Sequence, residues 1–209
     1  MSLDQPPPQV VYVIRHGEKP ADPAPGAPVS APSPGPPFGV DVDGNQNAHS
    51  LLPRGWQRSG ALAALFDPAV GPLQAGLQRP GSLFSPSYGS SDKTVAHRTY
   101  QTIQGLAGRL GLQINSPFAE GEESDLASSA VNSSSGVVLI CWEHDHIPAL
   151  ANAFPLVPNT VIPAAWPGDR FDVIWTFTVA PGGGATSYVF GQVPQQLLSG
   201  DANTVISAD

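Results

Sequence analysis

Cysteine is almost missing from this chain. Cys141 is the only one in 209 residues, which excludes an internal disulfide. It lies inside an apolar run, so it reads as a buried, inert thiol and not as a nucleophile. Charge is also scarce, at 12% of residues, and the net charge is −8. That balance argues against nucleic acid or an anionic membrane as partner, since both need a basic face. Cations that hold an anionic ligand must therefore be gathered locally. No run approaches the ~18 consecutive apolar residues of a membrane helix. The opening MSLDQPPP lacks the basic and apolar regions of a signal peptide, so a cytoplasmic protein is the expectation.

Proline and glycine are abundant, at 24 and 22 residues, and predict long, irregular loops. A hydrophobic content of 41% fits a globular chain, and the length fits one domain spanning residues 1–209 with a real core. The proline-rich run at 20–37 can be neither helix nor internal strand. With its continuation to residue 50 it reads as a loop insertion on the rim of whatever lies beside His16.

The most informative stretch is residues 10–20, VVYVIRHGEKP. Five apolar residues without alternation predict a strand buried on both faces, hence central and parallel. It ends in Arg15 and His16, followed by Gly17, which permits a sharp turn. In open α/β sheets the ligand crevice lies beyond such strand ends. Residues 136–142, GVVLICW, form a second buried strand that ends in Glu143, His144, Asp145 and His146. If the two strands are parallel, His16 and His144 emerge on one sheet edge.

Residues 53–66 and 93–110 carry helical apolar spacing, with Pro53 in a first turn and Gly111 as a stop. Between them, GSLFS at 81–85 predicts a short strand, so Arg98 also falls on the carboxyl side of a strand. An acidic loop at 116–125 holds Glu120, Glu122 and Glu123 before a short helix. A helix begins near Ile147, with Pro148 in its first turn. Segments 171–180 and 185–193 alternate around Pro181-Gly182-Gly183-Gly184 and predict a hairpin. The sum is an α/β chain, a three-layer α/β/α sandwich with a mostly parallel central sheet and an antiparallel C-terminal edge hairpin.

RHGE after a short buried strand, SLFSPSYGSSDKTVAHRTYQT and VLICWEH together resemble the first-branch, RHGE-type members of the histidine phosphatase superfamily, the phosphoglycerate-mutase-like fold. The resemblance implies a phosphate pocket of Arg15, His16, Arg98 and His144. It also implies a phosphatase that hydrolyses a small phosphorylated substrate through a phosphohistidine. The chemistry agrees: two guanidiniums fork onto phosphoryl oxygens, and a neutral imidazole is a competent nucleophile. His16 is the expected nucleophile and His144 a donor to a phosphoryl oxygen, with no metal or other cofactor required. Lys19-Pro20 after RHGE departs from the mutase pattern and favours phosphatase over mutase.

The proton donor is open between Asp145 and Glu122, the first favoured because Glu143 and the substrate's phosphate would raise its pKa. Asp145 otherwise caps the helix near Ile147. Glu18 orients His16 or caps the loop, His49 and His97 read as surface or satisfied histidines, and Arg54 and Arg58 as an exposed helix face. Two other functions stay in view. One is phosphate binding on this fold without turnover. The other is a metal-dependent hydrolase built on the H-x-H of His144 and His146, with Asp145 and His16.

Overall fold

The computed structural model describes residues 6–21, 35–87, 97–182 and 186–208. Most of the proline-rich run and residues 93–96 of the second expected helix lie outside the described residues. So do Gly183 and Gly184 of the expected hairpin turn.

Ten elements follow in order. They are β1 (Val10–Arg15), α1 (Pro53–Phe66), β2 (Ser82–Phe84), α2 (Arg98–Leu110), β3 (Ile114–Asn115), α3 (Glu123–Ser133), β4 (Val137–Trp142), α4 (Ile147–Ala153), β5 (Val173–Val179) and β6 (Tyr188–Pro194). The strands form one six-stranded sheet in the order β3-β2-β4-β1-β5-β6. β1, β2, β3 and β4 run parallel, and β5 pairs antiparallel with both β1 and β6. The expected mostly parallel sheet with an antiparallel edge hairpin is what forms.

The lack of alternation in β1 has a simple cause: helices cover both faces of the sheet. Val11, Val13, Val138, Ile140 and Trp142 point into one core with Leu126 and Ala130 of α3 and Leu150 of α4. Val10, Tyr12, Ile14, Leu139 and Cys141 point into the other, against Leu62 and Phe66 of α1 and Ile103 and Leu106 of α2. Every residue of β1 and β4 is buried. Cys141 is buried and free, and burial pushes its thiol pKa well up, with Glu143 adding to the rise. No helix among the described residues is long and apolar enough to cross a membrane.

Two details of packing set the site. Arg15 stands opposite Trp142 in the β1/β4 register, so His16 and Glu143 leave the sheet at the same edge. The turn at Gly17 then packs directly on α1. A Cβ at Gly17 would meet the Gly55 carbonyl at 3.0 Å, and one at Gly55 would meet the Glu18 carbonyl at 2.6 Å. Gly17 is therefore needed for close approach of the turn to α1.

Candidate active site

His16 is fully buried. Its Nδ1 lies 2.6 Å from the Gly17 carbonyl, which can only accept, so Nδ1 carries the hydrogen. Burial lowers the His16 pKa, against the opposing pull of Glu143. Nε2 is the ring nitrogen that faces Glu143. His144 stands edge-on at 6.2 Å between ring centroids. The shared sheet edge expected for the two histidines is observed.

Glu143 sits between them. Its Oε2 is 3.4 Å from His16 Nε2 and 3.5 Å from His144 Nδ1. Burial alone would raise the Glu143 pKa, but both histidines and the Arg98 cation hold it well below the usual carboxylate range. An ionised carboxylate therefore stands against His16 Nε2. Nothing in the sequence singled Glu143 out, because a strand-end acid beside a histidine has no distinctive spacing.

The two arginines are anchored differently. Arg15 is fully buried, and its Nη1 donates to the carbonyls of Pro167, Gly168 and Arg170 at 2.8–3.1 Å. Its guanidinium lies 3.9 Å from the Phe171 ring centroid, a cation–π contact that fixes the plane. Phe171 also packs 6.0 Å from the His16 ring, so the segment before β5 walls the site. Arg98 opens α2 and donates from Nη2 to the Ala48 carbonyl at 2.9 Å. Its start is tied to the RHGE turn by Thr102, whose Oγ1 accepts from Gly17 N and donates to the Arg98 carbonyl.

The carboxylates sort themselves by their partners. Asp145 is 81% exposed, with Oδ1 3.3 Å from His144 Nε2. Glu122 turns back to accept from its own loop at Ala119 N, 2.8 Å away. Glu123 is buried and accepts from Gly121 N and Trp142 Nε1. Burial pushes Glu120 up to about 7, with Glu143, Glu123 and Asp145 adding and Arg98 opposing.

Several expectations are corrected here. β4 stops at Trp142 and the chain turns, with the amides of His146 and Ile147 both donating to the Glu143 carbonyl. His144 and His146 therefore do not share a strand face, and His146 Nδ1 is 3.0 Å from Glu123 Oε1 instead. The group whose ligand atoms do converge, all within 4.8 Å of one another, is His16, Glu143 and His144. Arg58 does not decorate an exposed face. It is 1% exposed and bonds Glu18, Gln195 and Asp201, because the chain after β6 returns over α1. Glu18 thus braces the RHGE turn through Arg58 and Arg54.

No family model matches the chain, and no curated protein does. Among solved structures, SixA from Agrobacterium tumefaciens, provisionally assigned as a phosphohistidine phosphatase, aligns with 88% of this chain and 97% of its own. The two share 17% identity at a TM-score of 0.45.

Proposed function

We propose that this chain is a phosphatase of the histidine phosphatase type, acting on a small phosphate monoester without a metal. The observation that carries the reading is His16 itself. It is a buried imidazole whose Nδ1–H is tied to Gly17, and its Nε2 stands at the sheet edge where Arg15 ends β1, with the His144 ring 6.2 Å away and Arg98 at the start of α2.

In the first step the Nε2 lone pair forms a bond to phosphorus and the ester P–O bond breaks. The electron pair leaves on the ester oxygen, which takes a proton from Glu120. Water then attacks the phosphohistidine, its proton passes to the Glu120 carboxylate, and the N–P pair returns to Nε2. Arg15, Arg98 and His144 stabilise the charge on the phosphoryl oxygens. We favour Glu120 over both sequence candidates as the donor. Its pKa of about 7 suits acid and base work near neutrality, Glu122 is tied to its own turn, and Asp145 faces solvent.

An incoming phosphate dianion meets Glu143 beside Nε2, so binding requires that carboxylate to leave its 3.4 Å contact. The direct test is to mix metal-free protein with a reactive phosphate ester and quench in base, which preserves phosphohistidine. Label on His16 in the wild type and none in His16→Ala is the expected result. Phosphate that binds without labelling or turnover would instead mean a binding protein.

A further inference from the structure

The contact between His16 and Glu143 has a second chemical meaning. Four-coordinate zinc binds nitrogen and carboxylate oxygen at about 2.0–2.2 Å, which separates neighbouring ligand atoms by about 3.3–3.5 Å. His16 Nε2 to Glu143 Oε2 is 3.4 Å, and Glu143 Oε2 to His144 Nδ1 is 3.5 Å. The third edge, between the two nitrogens, stays within 4.8 Å. Both nitrogens are buried and have no hydrogen-bond partner.

The outer partners agree with that role. A ligating histidine normally donates its other N–H to a carbonyl or carboxylate, which fixes the tautomer. His16 does so to the Gly17 carbonyl at 2.6 Å. His144 Nε2 faces Asp145 Oδ1 at 3.3 Å. Each ring therefore turns its other nitrogen toward Glu143. Three protein ligands and one open position is the pattern of accessible zinc sites.

We propose that His16 Nε2, Glu143 Oε2 and His144 Nδ1 form a binding site for a zinc-class divalent cation, and that the bound ion blocks phosphoryl transfer to His16. One lone pair cannot serve the ion and phosphorus together. This site differs from the H-x-H reading in using Glu143 in place of His146. The blocking half rests on the phosphatase reading, whereas the binding half does not.

The full chain, stripped of metal with a chelator, is titrated with Zn²⁺ by calorimetry and with Co²⁺ by visible absorption, where four-coordinate ions give intense bands. One equivalent is expected to bind. Glu143→Gln, which keeps the side-chain shape, and His144→Ala each weaken binding by tenfold or more, and Asp145→Asn by about tenfold. His146→Ala leaves it unchanged, and excess inorganic phosphate weakens it. Circular dichroism confirms that each variant is folded. Absence of stoichiometric binding, or binding indifferent to Glu143→Gln but lost in His146→Ala, overturns the site. Tighter zinc binding in the presence of phosphate overturns the exclusion. Phosphohistidine labelling of metal-free protein is a separate readout, so failure there sinks the phosphatase and leaves the zinc titration to decide the site.

Discussion

The proton donor offers the sharpest quantitative test. Glu120 stands at about 7, against an ordinary value of 4.5. At pH 7 an ordinary glutamate would be protonated in about 0.3% of molecules, since 4.5 − 7 is −2.5 decades, whereas Glu120 is about half protonated. The environment thus multiplies the available acid by roughly 150. Glu120→Gln removes the acid and spares the shape. For an alkyl phosphate, whose leaving oxygen needs a proton, kcat/KM is expected to fall about 10²- to 10⁴-fold. For p-nitrophenyl phosphate, whose leaving group is already stable, the loss should stay under about tenfold. The pH profile carries the sign. The acid form disappears as pH rises through about 7, so alkyl phosphate kcat/KM should drop about tenfold per pH unit above that point. The limb should vanish in Glu120→Gln. The groups facing Glu120 are Glu143, Glu123 and Asp145, which raise it, and Arg98, which lowers it. Asp145→Asn should accordingly move the limb to lower pH. Equal losses on both substrates, or an alkaline limb that survives in Glu120→Gln, would refute the assignment.

Two further predictions concern the brace behind the RHGE turn. Arg58→Ala leaves the buried Glu18 and Asp201 side chains with only the more exposed Arg54 as a cation, and urea unfolding should show a loss of about 3 kcal/mol. Asp201 sits at about 2, below its ordinary 3.8: burial works to raise it, but Arg58 and the Leu197 and Leu198 amides prevail. That contribution is intact above pH 3.8 and is lost as pH falls through about 2, so Arg58→Ala should flatten the acid limb of wild-type stability. In α1, Gly55→Ala should cost about 1–3 kcal/mol, because the new Cβ meets the Glu18 carbonyl at 2.6 Å. Gly60→Ala, exposed with nothing within 4 Å, should gain up to about 1 kcal/mol from helix propensity. A Gly55→Ala protein as stable as wild type would disprove the tight RHGE–helix contact.

The sheet was legible because its signals are local. Five apolar residues before Arg15 and the run before Glu143 could only be strands covered on both faces, and α1 was bounded by Pro53 and the end of its stripe at Phe66. What stayed hidden depends on segments distant in sequence or on which of several like residues turns inward. Glu120, Glu122 and Glu123 are equivalent as letters. Gly121, at φ +93°, bends the loop so that Glu122 and Glu123 cap backbone amides there, leaving Glu120 to face the other acids. Arg58 looked like a solvent-facing residue because its partners, Gln195 and Asp201, come from the far end of the chain. The carbonyls that hold Arg15 come from residues 167–170, a stretch with no motif of its own.

The charge around His16 bears on both proposed ligands, a phosphate and a divalent cation. Glu143 is ionised against His16 Nε2, and Glu120 and Asp145 lie close enough for mutual repulsion to register on Glu120. On the positive side, Arg15 has its Nη1 edge committed to backbone carbonyls, so part of its hydrogen-bonding capacity is already directed away from any phosphate. Arg98 is the cation whose field reaches both Glu143 and Glu120. Phosphate binding therefore leans on Arg98 and on displacing Glu143, while a divalent cation leans on Glu143 and is opposed by Arg98. Protonating Glu120 favours the anion, and its ionisation favours the cation. Under the proposed mechanism, the half-buried carboxyl that protonates the leaving ester oxygen would also bias which ion reaches His16 Nε2.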